Sequence, residues 1–205
     1  MENPATNDFP IHELLRRRWS PRAFADKRVP AAELCSLFEA ARWALSCFND
    51  QPWAYLVATK EYPEEYQRML SILIEWNQAW AAAAPVLALS VARTSFHHNG
   101  KPNRHALHDV GAASTSLALE ATARGLFIHQ MGGFDADKAR ATFHIPDGWE
   151  PVAAIAIGYA GDPASLPENL RQRELEPRSR KPLSEFVMSG TWGNISPLVP
   201  SGKKG

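Results

Sequence analysis

Near its beginning the chain reads RRRWSPR over residues 16–22, a segment in which four of the seven residues are arginine. Two further arginines, Arg178 and Arg180, lie close to the other end. A guanidinium group presents a planar fork of N–H donors that matches two phosphate oxygens at once. If the two ends of the chain meet in the fold, their arginines form a pocket for one phosphorylated ligand.

Two short polar loops lie between the arginine-rich ends. The first reads SCFNDQPW over residues 46–53, and the second reads QMGGF over residues 130–134. The paired glycines, Gly132 and Gly133, carry no side chain and let the main chain approach a ligand closely. The same pair is also explained as a turn that precedes a helix beginning at Asp135.

Length and charge limit the class of protein. A chain of 205 residues is one domain, or one domain with a long tail. Lysine plus arginine equals aspartate plus glutamate at 22 each, so no overall positive field attracts nucleic acid or an anionic membrane. The positive charge is local, which favours a small anionic ligand and predicts no nucleic-acid partner.

Neither membrane insertion nor secretion is indicated. No apolar run approaches the ~18 residues of a membrane-spanning helix, and residues 1–10 lack the apolar core of a signal peptide. Two cysteines, Cys35 and Cys47, are too few for a disulfide framework. We therefore expect a cytoplasmic protein without a membrane partner, with Cys35 in the core on the apolar face of a helix.

Apolar periodicity predicts helices alternating with strands. The predicted helices cover residues 12–17, 30–45, 64–84 in one or two pieces, 105–124 and 135–143, and the predicted strands cover 52–58, 86–92, 126–129 and 151–159. Gln51 precedes a proline and is expected to be extended. Residues 162–182 are rich in proline and arginine and are predicted to be irregular. This order indicates a three-layer α/β or α+β domain.

Six motifs in one order resemble the FMN-dependent nitroreductase family over residues 16–182. They are RRWSPRAF (17–24), ARWALSCFNDQPW (41–53), APVLAL (84–89), HDVGAA (108–113), GGFD (132–135) and RSRKPL (178–183). The resemblance implies an α+β, nitroreductase-like three-layer fold. In that fold helices flank a central, mostly antiparallel sheet, and a C-terminal extension wraps the partner subunit. It also implies a homodimer with FMN at the subunit interface.

The resemblance implies a division of the chain and a set of cofactor-binding residues. Residues 1–10 are a flexible N-terminus, 11–187 are the FMN-binding domain with an extended arm at 161–187, and 188–205 are a C-terminal tail. The cofactor-binding residues implied by the motifs are Arg18, Trp19, Ser20, Arg22, Ser46, Cys47, Asn49, Met131, Gly132, Gly133, Arg178 and Arg180.

Each group of residues has an implied role. Arg18, Ser20 and Arg22 contact the phosphate, ribityl chain and pyrimidine edge, Trp19 contributes mainly its backbone, and the two C-terminal arginines clamp the phosphate. The loop residues at 46, 47 and 49 come from the other subunit and lie along the flavin. Residues 131–133 pass the central ring, with the Gly132 amide near the reactive N5.

The implied activity is reduction of nitroaromatics, quinones or related small-molecule electrophiles with NADH or NADPH. Donor and acceptor react at one site in a two-step ping-pong hydride transfer, and no side chain is catalytic because the flavin N5 carries the chemistry. Two alternatives stay open. One is a flavin-binding or sensing protein with little turnover, and the other is a specialised member, reductive dehalogenase-like or with other flavin-dependent chemistry.

The chain also departs from the family pattern. Relatives have small hydroxyl residues where Cys47 and Phe48 stand, and many have a lysine in the region that begins here with Asn77. Four histidines at 97, 98, 105 and 108 crowd one segment. His105 and His108 have the spacing of a helical metal pair, but no further ligand completes a set, so no metal is predicted.

Overall fold

The computed structural model of the chain describes residues 3–199. Residues 1–2 and 200–205, the extremities of the predicted flexible N-terminus and of the predicted tail, lie outside the described residues. The helices are α1 (Glu13–Arg17), α2 (Ala31–Arg42), α3 (Pro63–Ser71), α4 (Glu75–Ala81), α5 (Ala106–Ala123), α6 (Ala136–Phe143) and α7 (Glu168–Leu175). The strands are β1 (Trp53–Thr59), β2 (Val86–Arg93), β3 (Phe127–Met131) and β4 (Trp149–Gly158). Three short 3₁₀ turns cover Cys47–Asn49, Pro163–Ser165 and Leu183–Glu185.

The four strands form one antiparallel sheet in the order β1-β2-β4-β3. The two central strands, β2 and β4, are apolar over most of their length because both of their faces are covered. A register shift between Ser90 and Val91 interrupts the β2–β4 ladder. The buried Ser90 hydroxyl and the main chain of Ala153 hydrogen-bond each other across that shift, which keeps polar groups paired inside the core.

The core lies in two layers, one on each face of the sheet. Leu87 and Leu89 of β2 pack with residues of α3, α4 and α6. Val86 and Ala88, which alternate with them, pack on the other face with residues of α2 and α5. This alternation is the period-two pattern of a strand buried on both sides. The structure confirms the α+β, three-layer fold with an antiparallel sheet between helices.

Local signals fix the ends of several helices as predicted. Asp135 accepts a hydrogen bond from the Lys138 amide and is the N-cap of α6. Gly125, which follows Arg124, the C-cap of α5, has φ +72°, the left-handed conformation that ends many helices. The helical region 64–84 is two helices, α3 and α4, so the prediction of one or two pieces is settled in favour of two.

Three local predictions are wrong. Residues 162–182 are not irregular throughout, because they contain α7. Gln51 has φ +50° rather than an extended backbone, and its amide donates to the Ser46 hydroxyl at 3.1 Å. Cys35 is exposed rather than in the core, since α2 turns other residues, among them Leu37, toward the sheet.

Among residues 3–199, no helix has both the length and the apolar character needed to cross a membrane.

Candidate flavin site

The two ends of the chain meet in one cleft of about 220 Å³. The N-terminal segment contributes Arg18, Trp19, Ser20 and Arg22, and the C-terminal segment contributes residues in and after α7. The C-terminal lining residues are Arg173, Glu174, Glu176, Pro177, Arg178 and Arg180. Six of the predicted site residues, at positions 18, 19, 20, 22, 178 and 180, are therefore neighbours in space. Arg173, Glu174 and Glu176 were not predicted.

The N-terminal segment is held along β3, the edge strand of the sheet. The Trp19 ring contacts Phe127 of β3 edge-on, with centroids 6.0 Å apart. Further along, Nδ1 of His129 donates a hydrogen bond to the Pro21 carbonyl at 2.9 Å, because a carbonyl can only accept. These contacts place Arg18, Ser20 and Arg22 beside the strand that ends at Met131.

Three arginines of the cleft have no carboxylate partner in the described part of the chain. Within residues 3–199, neither Arg18, Arg178 nor Arg180 forms an ion pair with a carboxylate. Burial and then the nearby Arg180 lower the pKa of Arg18, and burial followed by Arg18 and Arg180 lowers the pKa of Arg178. A lowered arginine pKa means that the charged form is disfavoured. An anion in the cleft would relieve that repulsion.

Hydrogen bonds hold two of these arginines in place. Nη1 of Arg178 donates to the carbonyls of Asn3 at 3.0 Å and Arg16 at 3.2 Å, which ties the C-terminal segment to the N-terminal one. Nη1 of Arg18 lies 3.4 Å from the Ser20 hydroxyl. Each guanidinium has five N–H donors, so both keep donors for a ligand.

Glu174 is the buried acid of the cleft. Its carboxylate accepts hydrogen bonds from the Arg22 amide at 2.8 and 3.0 Å and from the Ala23 amide at 3.0 Å. Nη1 of Arg22 lies 3.9 Å from the same carboxylate. Sequence reasoning missed this residue because α7 itself was not predicted, although its nearness to Arg178 along the chain was a signal.

The two glycines after β3 have different environments. A Cβ added at Gly132 would meet no atom within 4 Å, so the main chain there borders open space. A Cβ at Gly133 would lie 2.5 Å from Nδ2 of Asn77 and 2.7 Å from Cδ1 of Ile74. The Gly133 carbonyl accepts from Nδ2 of Asn77 at 2.9 Å. Packing against the beginning of α4 therefore accounts for Gly133, whereas the space beside Gly132 can take a flat ligand.

The loop at 46–51 lies apart from the arginine cleft. Ser46, Cys47 and Asn49 do not line that cleft within one chain, and the Cys47 amide instead donates to the buried Asp109 carboxylate at 3.1 Å. Phe48 and Asn49 have φ of +54° and +52°, a conformation that costs energy for residues other than glycine and clusters at functional sites.

Asp50 joins this loop to the histidine-rich segment. Its almost fully buried carboxylate accepts from the His97 amide at 2.8 Å and from Nη2 of Arg93 at 3.0 Å. Burial raises the pKa of Asp50, but the His97 and Arg93 hydrogen bonds and the Arg93 charge outweigh it, so the pKa is lowered. The Asp50 carboxylate thereby compensates the charge of Arg93, so Arg93 is not available to bind an anionic ligand.

The histidines of this segment are not arranged as a metal site. In the described part of the chain, no group of three or more His, Cys, Asp or Glu side chains is placed to hold a metal ion. The ring of His98 instead packs with the Phe48 and Phe96 rings, at centroid separations of 5.7 and 5.3 Å.

A long apolar groove adjoins the cleft and shares Arg18, Arg178 and Arg180 with it. Its volume is about 910 Å³. The apolar side chains that line it, all from the two chain ends, are Ala5, Phe9, Ile11, Leu15, Leu183 and Phe186. Phe9, Ile11, Leu15 and Phe186 are exposed there, and a cluster of exposed apolar side chains is a candidate interaction surface.

Comparisons with known proteins agree with this architecture. The sequence profile described as "Nitroreductase family" matches residues 15–159. The chain is 31% identical over 163 residues to a Streptomyces coelicolor protein provisionally named NADH dehydrogenase/NAD(P)H nitroreductase, covering 69% of this chain and 79% of that one. It is 38% identical over 125 residues to an uncharacterised 15.4 kDa protein of Mycolicibacterium smegmatis, covering 61% and 83%.

A solved structure described as an oxidoreductase containing FMN is also similar. It superposes with a TM-score of 0.88 at 36% identity, covering 95% of this chain and 98% of that one. The high TM-score over almost the whole chain shows that the two proteins share this fold. The chain belongs to the nitroreductase family of oxidoreductases.

Proposed function

We propose that this protein is an FMN-dependent oxidoreductase that uses NADH or NADPH to reduce nitroaromatics, quinones or related electrophiles. One observation carries the proposal, namely the convergence of Arg18, Arg22, Arg178 and Arg180 in one cleft beside β3. Its support from outside the chain is the similar structure that contains FMN and the relative provisionally named for NAD(P)H.

The cleft suits the phosphate of FMN chemically. Burial and repulsion from neighbouring arginines disfavour the charged forms of Arg18 and Arg178 and lower their pKa values, and a phosphate would compensate both charges. A guanidinium binds two phosphate oxygens at once, and the Ser20 hydroxyl lies in the same lining. The domain proposed for this cofactor is residues 11–187, with 161–187 as an arm.

The ring system of the cofactor would extend from the cleft toward Met131 and Gly132. The open space beside Gly132 leaves room for a flat ring, and the Gly132 amide is the proposed donor at N5. Arg22 is the proposed cation at the pyrimidine edge, where it would stabilise the charge of the reduced flavin. Bound FMN would supply hydride transfer at N5, and donor and acceptor would occupy one site in turn.

The proposed role of the chain is to bind and orient, not to act as an acid or base. The ring of His129 contacts the N-terminal segment of the proposed site, and burial lowers its pKa to about 4. Its Nδ1 proton is used in the hydrogen bond to Pro21. His129 is therefore neutral near pH 7 and supports the N-terminal segment.

The proposed assembly is a homodimer with FMN at the interface. Ser46, Cys47 and Asn49 lie outside the arginine cleft, in the loop before β1 at the opposite edge of the sheet from β3, so a second copy is the proposed means by which they reach a flavin site. The exposed groove around Leu15 and Phe186, continuous with the arginine cleft, offers the apolar surface that a second copy would cover.

Purified protein tests the proposal directly. We expect a yellow protein whose chromophore, released by denaturation, is FMN, and which oxidises NADH or NADPH when a nitroaromatic or quinone is supplied. A yellow protein without turnover would indicate the flavin-binding or sensing alternative. A colourless protein that does not bind added FMN would refute the proposal.

A further inference from the structure

Helix α7 buries one carboxylate in a cleft that is otherwise arginine-rich. The Glu174 side chain is 1% exposed, and it lines the same cleft as Arg18, Arg22 and Arg178. A negative charge at that place opposes the binding of an anionic ligand. A buried carboxylate is also costly unless it is well hydrogen-bonded, so its position calls for a local reason.

Its hydrogen bonds give that reason. The two oxygens of Glu174 accept from consecutive main-chain amides, those of Arg22 and Ala23, at 2.8 to 3.0 Å. These amides belong to the N-terminal segment, which lies outside the regular strands, so they have no partner in the sheet ladder. Glu174 thereby fixes the backbone from which the Arg22 side chain departs.

The main chain and the side chain of Arg22 have different relations to Glu174. Nη1 of Arg22 is 3.9 Å from the nearest Glu174 oxygen, beyond hydrogen-bond distance. The main-chain amides therefore donate to the carboxylate, and the N–H donors of the guanidinium remain available to a ligand. Because the Arg22 side chain is only 25% exposed, a shift of its backbone would move that group within a confined space.

We propose that Glu174 is a positioning residue of the flavin site, which holds the main chain at residues 22–23 so that the Arg22 guanidinium meets the cofactor. This inference rests on the proposed FMN binding. It assigns to α7 a part in the site that none of the sequence motifs indicated.

The sign of the effect on binding distinguishes positioning from simple electrostatics. Glu174→Gln removes one negative charge from the cleft, which by Coulomb attraction alone strengthens the binding of a phosphate. Oε1 accepts from both main-chain amides and Oε2 accepts only from that of Arg22. The glutamine amide nitrogen cannot accept, so the Arg22 amide loses its bond to the second oxygen and faces a donor group instead. Positioning therefore predicts weaker binding. Glu176→Gln is the matched control, since Glu176 lines the same cleft but is exposed.

The first experiment measures FMN dissociation constants of the apoprotein by flavin fluorescence. We expect Glu174→Gln to bind FMN about tenfold more weakly, the effect of one lost charge-assisted hydrogen bond. Glu176→Gln should bind as the unaltered protein does or more tightly. Equal or tighter binding by Glu174→Gln would overturn the inference. Failure of the unaltered protein to bind FMN would instead refute the proposed function.

A second measurement tests whether Glu174 acts through Arg22. In an Arg22→Ala background, Glu174→Gln should change FMN affinity less than about threefold, because the group that it positions is gone. Full additivity of the two effects would show a general structural role and contradict the inference.

Amide hydrogen exchange supplies a readout that needs no cofactor. In Glu174→Gln the amides of Arg22 and Ala23 should exchange faster, while those of β2 and β4 stay protected. If Glu174→Gln does not fold, Glu174→Asp keeps the charge but is one methylene shorter and should also weaken FMN binding. FMN affinity in Glu174→Asp equal to that of the unaltered protein would overturn the inference.

Discussion

At the scale of single residues, the arginines divide into paired and unpaired groups. Arg42 and Arg171 form short ion pairs with glutamates one turn away on their own helices. Arg18, Arg178 and Arg180 of the cleft form no ion pair with a carboxylate among residues 3–199, whereas Nη1 of Arg22 lies 3.9 Å from Glu174. Exposed ion pairs contribute little to stability. The difference between paired and unpaired arginines therefore matters for ligand binding rather than for folding. A partly buried guanidinium without a carboxylate partner keeps its charge and its N–H donors available to bind an anion.

Loss of Arg18 or Arg180, which with Arg178 form the proposed phosphate clamp, should weaken cofactor binding without unfolding the chain. We expect Arg18→Ala or Arg180→Ala to lower FMN affinity by at least about tenfold, since each removes charge-assisted hydrogen bonds to the phosphate. The measurement is the FMN content of purified protein together with its thermal unfolding curve. Arg17→Ala is the control, because Arg17 is exposed and does not line the cleft. Full cofactor content in both clamp variants would refute the phosphate site.

His129 should make stability depend on pH. Burial is the main cause that lowers its pKa to about 4 in the folded protein, compared with about 6.5 for an unperturbed histidine. Between these values the unfolded chain binds a proton and the folded one does not, so stability falls as the pH falls from 6.5 to 4. The linked loss is roughly 3 kcal/mol at most.

Denaturant unfolding at pH 7.0 and 4.5 measures this dependence. His129→Gln should be less stable at pH 7 but should lose less stability on acidification. The same loss on acidification in His129→Gln and in the unaltered protein would show that other groups cause it. His108→Gln is the control, because His108 is exposed near the beginning of α5.

At the scale of elements, Asp50 couples two loops that would otherwise be independent. Its carboxylate bonds the amide of His97 and the guanidinium of Arg93, so the loop at 46–51 and the histidine-rich segment form one unit. Phe48 packs on Phe96, with ring centroids 5.8 Å apart, across the same junction. The positive φ angles of Phe48 and Asn49 are maintained by these contacts.

Asp50→Asn should separate the two loops. We expect a loss of about 2 kcal/mol in the free energy of unfolding, the cost of a buried charge-assisted hydrogen bond. Exchange of the His97 amide should accelerate by a larger factor than exchange in the sheet. Asp26→Asn, at an exposed position, controls for the charge change. An unaltered exchange rate at His97 in Asp50→Asn would contradict the coupling.

How far the sequence predicts an element depends on what stabilises that element. β2 and β4 are predictable because both of their faces are buried and their sequences are almost continuously apolar. α5 is predictable because its buried residues recur at the helical spacing. α7 was missed because only Leu170 and Glu174 of its eight residues are buried, and one of the two is charged. Gln51 adopts a positive φ through the tertiary network of its loop, which overrides the local preference of a residue before proline.

The candidate site follows the same logic. The arginines at both ends are predictable as a group because a guanidinium binds anions wherever the fold places it. Glu174 was not, because its role depends on a main-chain conformation that only the folded N-terminal segment creates. The separation of the loop at 46–51 from the cleft likewise depends on tertiary structure, because the order of the strands puts the two at opposite edges of the sheet.

At the scale of the whole molecule, the chain divides its candidate site residues between two regions. The arginines of both termini lie at the β3 edge of the sheet, and the loop at 46–51 precedes β1 at the opposite edge. The order β1-β2-β4-β3 thus places two strands between them. In the proposed homodimer the clamp of one copy faces the loop of the other, so each site is shared.

Mixed dimers test this sharing. Arg18→Ala damages the clamp, and Cys47→Trp fills the space beside the loop, so each variant alone should bind FMN poorly. If sites are shared, a hybrid of the two has one site with both defects and one with neither. Unfolding and refolding an equal mixture produces about half hybrids in random assembly of a two-fold dimer. FMN binding should then recover, to one cofactor per hybrid dimer.

The control mixes Arg18→Ala with Arg180→Ala. Both substitutions damage the clamp, so every site in that hybrid keeps one defect and FMN binding should stay low. Differently tagged copies allow the hybrids to be isolated and their FMN counted by absorbance. If clamp and loop served a site within one chain, the first hybrid would also have one defect in each site. Absence of recovery in isolated Arg18→Ala and Cys47→Trp hybrids would therefore rule out a site shared between copies.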